Sequence, residues 1–295
     1  MKKVYKTITA LLLVCIMVIP GSLSANAATV AIATNYQTLK TAIENGTDTI
    51  VIANDITLED VININHDVTF NSLGATIYAA AGKRHFNVFQ GDISDITVTF
   101  QNVILDGKKT SGGLFTYSTN ATIKNVVIQN CYNSSYGGAI YSCGGLTLRN
   151  CKIDNNRGCY GAGVYADALS AYDCIFTNNV VNTSVGGGGI CTTSTTSLSS
   201  CTFSGNTGFY GGAICFIPSS PTTMLLIELC TITNNYAQYG GGIYNTGYSF
   251  FYYTDIKNNA AGYATGGGIY NTSGATYGSF YGSIIDNSPN NIVTN

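Results

Sequence analysis

The chain has 295 residues, of which 45% are hydrophobic and only 9% charged, with 34 Gly, 21 Tyr and no Trp. Its formal net charge is −2, so nothing in it favours nucleic acid or an anionic membrane surface as a partner. A chain with so few charges is solvated mainly through amides and hydroxyls.

Lys2, Lys3 and Lys6 precede an apolar run from Leu11 to Ile19, and Ala25-Asn26-Ala27 reads as a small-x-small cleavage site. This is the layout of an export signal over 1–27, too short and too soon interrupted to span a bilayer. Cys15 lies inside the apolar run behind Val14, which does not make a lipoprotein cleavage box. Removing the signal leaves 10 basic against 15 acidic side chains. No later stretch is long and apolar enough to be a transmembrane segment. The mature chain, 28–295, is expected to be one domain, secreted or held at the cell surface.

One helix is expected over 34–46. Thr34 as N-cap with Gln37 at N3 fits a capping box, Leu39, Ala42 and Ile43 follow at helical spacing, and Gly46 marks a stop. Ahead of a β array, such a helix reads as a cap over its apolar end. From Thr49 to about Ile128 the pattern turns to short β-like runs, among them 50–52, 61–64, 68–70, 86–89, 96–100 and 103–105. They are rich in β-branched residues and separated by Asn, Asp or Gly, with no helical period between them. Parallel pairing without crossover helices points to a coil that turns on itself.

From Gly112 onward a motif recurs. Tyr136-Gly137-Gly138-Ala139-Ile140-Tyr141 returns with variation up to Thr265-Gly266-Gly267-Gly268-Ile269-Tyr270. The anchor aliphatics at 140, 164, 190, 214, 243 and 269 lie 24, 26, 24, 29 and 26 residues apart, a period that signals a solenoid. A second motif runs Cys151-Lys152-Ile153-Asp154-Asn155-Asn156 and returns at Cys174, Cys201 and Cys230, then with Thr254 replacing Cys. Alternation sends Cys and Ile or Phe to the interior. The anchors are expected to form one aliphatic file, and Asn156, Asn179, Asn206, Asn235 and Asn259 to stack at a turn where Asn tolerates left-handed geometry. The glycine pairs fit a corner where a Cβ would crowd the next coil.

Gly137-Gly138-Ala139-Ile140 and Gly211-Gly212-Ala213-Ile214, with Phe176 to Asn179 and Phe203 to Asn206, resemble the polymorphic outer membrane protein repeat of chlamydial surface proteins. The chain is similar more broadly to right-handed parallel β-helix proteins described as pectate-lyase-like or adhesin-like. The resemblance implies an exported, often adhesive right-handed parallel β-helix. With six glycine-anchored coils and roughly three earlier ones, the expectation is an all-β, single-stranded right-handed parallel β-helix of about nine coils with a short N-terminal capping helix. No translocator barrel or sorting signal follows the coils, which is where the chain departs from the chlamydial pattern.

The remaining candidates for chemistry are few. Cys151, Cys174, Cys201 and Cys230 read as interior thiols, with Cys191 and Cys215 left as a pair able to bridge. There is no Cys-x-x-Cys pair, so no zinc site is expected, and His66 and His85 stand alone. Gly186 to Gly189 lacks the Lys-Ser/Thr of a phosphate loop. Arg149, Lys152, Asp154, Arg157, Asp167 and Asp173 form the densest charge group. They are the residues a polysaccharide lyase or glycoside hydrolase would draw on, yet no outward acid pair recurs on adjacent coils.

Tyrosine offers more. Tyr136, Tyr160, Tyr210 and Tyr239 share one repeat position, and Tyr141, Tyr165, Tyr244 and Tyr270 another. Outward aromatic files stack on sugar rings or pack a protein partner, or else simply strengthen the sheet. The expectation is a protein that binds a glycan or a host or cell-surface protein without catalysis and without a cofactor. The alternatives are an enzyme of the pectate-lyase-like class and a fragment of a larger surface protein, the latter because the coil around Ile284 to Ile292 lacks a clear polar cap.

Overall fold

The computed structural model describes residues 28–89, 95–117, 120–263 and 265–294. The export signal assigned to 1–27 lies outside the described residues. The rest coils into a parallel β-solenoid built from three long ladders of short strands and two additional two-stranded pairs, in which every strand pairs with its equivalent one coil away. The third ladder has ten strands, hence nine steps, which at the usual strand spacing make a rod about 43 Å long.

The anchor ladder runs from Ile62–Ile64 to Asn290–Thr294. Its register places Ile140, Val164, Ile190, Ile214, Ile243 and Ile269 in one file. The file extends beyond the glycine motif to Ile62, Phe86 and Leu114 on one side and Ile292 on the other. The second ladder runs from Val30–Ala33 to Thr276–Phe280. The third runs from Ile56–Thr57 to Ser283–Ile285 and carries the Cys-x-Ile/Phe motif. In its inner file Ile153, Phe176, Phe203, Ile232 and Ile256 are fully buried, and the last member, Ile284, is partly buried. Phe176 and Phe203 stack at 4.6 Å between ring centroids. Parallel registry alone places like on like, so each file fills its own column of the core.

The helix spans Tyr36–Glu44, shorter than the expected 34–46, and its N-cap is Asn35 rather than Thr34. Asn35 Oδ1 accepts from the backbone N–H of Thr38, and Thr38 Oγ1 accepts from the backbone N–H of Asn35. Thr38 therefore does the job assigned to Gln37: its shorter side chain closes the box one residue later. Tyr36, Leu39, Ala42 and Ile43 are buried against the first strands of the solenoid, so the helix does cover that end of the core. A strand, Val30–Ala33, precedes it and was not anticipated. Among the described residues no helix is long and apolar enough to cross a membrane.

The asparagine pairs divide their labour differently from the expectation. In each pair the first residue takes the left-handed corner, with φ of 54° at Asn155, 56° at Asn178, 57° at Asn234 and 56° at Asn258. The second residue turns inward instead. Asn156, Asn179, Asn206, Asn235 and Asn259 are buried and pass one amide bond along the rod, Nδ2 to Oδ1, at 2.9–3.0 Å, ending on Asn287. A second left-handed corner precedes the Cys position, at Asn150 and Asp173 but also at Leu229 and Tyr253. The glycine pair likewise has two jobs. Gly137, at φ 55°, turns under its own coil, where a Cβ would strike the Ile140 carbonyl. Gly138 abuts the next coil, where a Cβ would strike the Ala162 carbonyl.

Candidate binding site

The glycine corner folds the first tyrosine of each motif back over the second, and this creates two tiers of rings. In the first tier Tyr136 stacks on Tyr160 at 4.9 Å and lies 4.8 Å from Tyr165 and 5.2 Å from Tyr141. In the second tier Tyr210 lies 5.5 Å from Tyr239 and 4.7 Å from Tyr244, while Tyr244 stacks on Tyr270 at 5.6 Å. The structure thus brings all eight candidate tyrosines onto one side of the rod, as two groups of four. It does not leave them freely exposed. Seven are half-buried, and Tyr270 is only 9% accessible, so its ring is withdrawn from solvent rather than presented. Burial pushes the Tyr165 phenol well up and that of Tyr244 up to about 12. The neighbouring Cys143 and then burial raise Tyr141 to about 12. Tyr141, Tyr165 and Tyr244 therefore stay neutral at any physiological pH, and the inner row serves as a base for the outer row of Tyr136, Tyr160, Tyr210 and Tyr239.

The tiers are separated where Cys191 and Cys215 replace the inner tyrosine. These two pair in register on adjacent strands and are buried, and the backbone at Gly187 lies against Cys215. Both are free thiols, as are the other seven cysteines among the described residues. Cys151, Cys174, Cys201 and Cys230 line the interior at one register. Hydrogen bonding with Cys174 and then burial hold the Cys151 thiol above its ordinary range, and bonding with Cys174 and Cys230, then burial, does the same for Cys201.

A second face carried no signature in the sequence. A groove of about 820 Å³ crosses several coils beside the left-handed corner, lined by Asn102, Asn125, Asn150, Lys152, Asp173 and Ile175, among others. Each of these asparagines sits at φ between 52° and 57°, which aims its side chain at the rim. Asn150 Nδ2 donates to Asn125 Oδ1 at 3.0 Å, which links the amides of two adjacent coils at the rim. Single scattered Asn residues before a Cys or Val give no local cue to this; only the coil registry aligns them.

The charged candidates are dispersed. Asp154 forms an ion pair with Lys152 at 3.1 Å and accepts bonds from Thr177 Oγ1 and Asn178 Nδ2. Burial pulls its pKa up, but the bonds from Thr177, Lys152 and Asn178 outweigh that and keep the carboxyl below the usual range. It ties coils together as a carboxylate. Arg149 lies over the Tyr172 ring at 4.4 Å, and Asp167 accepts from Thr193 on the next coil. Only Lys152 and Asp173 of this group reach the groove. His85 is buried with both ring nitrogens used: Gly113 N–H donates to Nδ1 at 2.8 Å and Nε2 donates to the Ile77 carbonyl at 3.0 Å. Among the described residues no group of three or more His, Cys, Asp or Glu is placed to hold a metal ion.

A model described as the right handed beta helix region matches residues 62–223, more than half the chain. The chain belongs to the right-handed β-helix family. In this β-helix, residues 229–246, one Cys strand and the glycine corner after it, also match the Chlamydia polymorphic membrane protein repeat. Metabotropic glutamate receptor-like protein R of Dictyostelium discoideum is 29% identical over 163 residues, 53% of this chain. The β-helix spans only 10% of that relative's length. A solved chain described as L. reuters 100-23 SRRP superimposes with a TM-score of 0.45 and 14% identity, over 93% of this chain and 100% of that one; a likeness at that level carries no argument.

Proposed function

We propose that this β-helix is a cell-surface protein that binds a glycan or a protein ligand along the side of the rod without transforming it. The observation that carries the reading is the pair of tyrosine tiers. Four outer rings are held in fixed positions by inner rings and by each other, so a ligand meets aromatic surface whose ordering cost was met in folding. The match of 229–246 to a repeat of Chlamydia membrane proteins supports display at a surface. The amide groove favours a second reading of the same class, in which an extended polysaccharide lies along Asn102, Asn125 and Asn150 instead.

A glycan array, run beside a panel of purified extracellular-matrix proteins, separates these. The expected result is saturable binding that falls at least tenfold in the double variant Tyr136→Ala/Tyr160→Ala and is unchanged in Lys152→Gln/Asp173→Asn. Loss in the second variant alone moves the site to the groove. Release of unsaturated or reducing-end products from any bound polysaccharide would sink the non-catalytic reading.

A further inference from the structure

We propose that the corner shared by three successive coils, at 82–84, 110–112 and 132–134, is a binding site for a small oxyanion: a carboxylate, sulfate or phosphate group. The cavity there is about 130 Å³, roughly four times the share of one water in the liquid. Lys83, Arg84, Thr110, Ser111, Asn133 and Ser134 line it, with glycines and Tyr132 completing the wall and no acidic residue. Two cations in a hydroxyl-lined cavity stand out in a chain whose overall charge is negative.

Arg84 is the centre of the argument. Its Nη1 donates to the Leu114 carbonyl at 2.9 Å, and its Nη2 to the carbonyls of Tyr136 and Gly137 at 2.7 and 3.1 Å. These bonds orient the guanidinium across neighbouring coils, but all three acceptors are neutral. A guanidinium has five N–H donors, so Nε–H and one Nη1–H have no acceptor among the described residues. Arg84 is partly buried, and a cation with reduced access to water and no counter-charge is costly, a cost that an anion entering the cavity relieves. Burial lowers the Arg84 pKa only to about 10, so the group stays charged at neutral pH. Lys83 pairs with Asp60 at 3.3 Å, but both side chains are more than half exposed, and such a pair is weak enough to yield the ammonium to a ligand. The Ser134 hydroxyl and the Asn133 Nδ2 have no protein partner among the described residues, and both stand ready to donate.

The shared chemistry has two sources, a free inorganic ion or the acidic substituent of a sugar. Thermal unfolding of the full mature chain, followed by far-UV circular dichroism at constant ionic strength, tells them apart. The probes are sodium sulfate, sodium phosphate, glucuronate and neutral glucose, against a sodium chloride baseline. Sulfate also strengthens apolar burial generally, so the readout is saturation and its dependence on the site. Arg84→Gln removes bonds between coils and risks unfolding, so Lys83→Gln/Ser134→Ala is the informative variant. The expected result is a saturable rise in melting temperature for the wild type, with half-saturation moved at least tenfold higher in the variant. A response to sulfate or phosphate alone assigns the inorganic ion, and a response to glucuronate with glucose silent assigns an acidic sugar. Identical responses of wild type and variant, or no saturable response to any anion, overturn the site. Lys83 and Ser134 lie outside the tyrosine tiers, so either proposal can fail without the other.

Discussion

At the scale of single residues, this β-helix completes the bonds of the side chains at the heart of its polar interior, such as His85 and the inner asparagines. His85 is the sharpest case, since its bonds from Gly113 and to Ile77 require the neutral ring protonated at Nε2. Burial lowers its pKa from 6.5 to about 4. Between those values the unfolded chain binds a proton that the folded chain refuses, so stability rises with pH across that window. The contribution is complete above pH 6.5 and is lost as pH falls toward 4, by about 3 kcal/mol in all. Urea unfolding at pH 7 and pH 4.5 checks this, and His85→Gln is expected to flatten that part of the difference. The left-handed corners show the opposite economy. Leu229 and Tyr253 hold φ of 54° and 48° where Asn or Asp stands in earlier coils, at a cost of about 1 kcal/mol each.

At the scale of elements, the ladder is the unit of stability. Asn206 donates Nδ2 to the Phe176 carbonyl and to Asn235 Oδ1, and its Oδ1 accepts from both nitrogens of Asn179. Removing that amide strands buried partners on both neighbouring coils. Asn206→Ala is expected to lower the unfolding free energy by about 3 kcal/mol, whereas Asn178→Gly at the exposed corner costs about 0.5 kcal/mol or less. Equal losses from the two substitutions, measured by urea titration, would contradict the division of labour between the two asparagines of each pair. The same logic makes the tyrosine tiers rigid: each ring touches a ring of a neighbouring coil, at 4.7–5.6 Å.

At the scale of the whole molecule, the core is one continuous column, and its cysteines act as small apolar side chains within it. Seven of the nine are buried, with Cys143 and Cys159 only partly accessible. The native protein is therefore expected to show at most two thiols reacting quickly with a thiol-specific chromogenic reagent, and all nine after denaturation without reductant. Fewer than nine in the denatured protein would mean that bridges such as Cys191–Cys215 form. The sides of the rod differ in character. The tyrosine tiers and the amide groove arise from different repeat positions carried along the axis, and the Arg84 corner adjoins the first tier through its bonds to the Tyr136 and Gly137 carbonyls.

Periodicity made most of the architecture legible without coordinates. Ile140 and its equivalents fall into register because a parallel coil has no other way to bury them, and the Cys-x-Phe strands follow by alternation. The capping helix was legible as an element, but its N-cap was not, since Thr34 and Asn35 are both good caps and only the contact with Thr38 decides between them. The eight tyrosines were legible as two files. How far they face water was not, because that depends on the glycine corner folding one file over the other. The amide groove and the Arg84 cavity left no trace in the linear order, as their walls come from residues about 20 to 30 positions apart. A repeat determines which residues share a column; only the path of the corners between strands decides which columns meet, and therefore what surface a ligand finds.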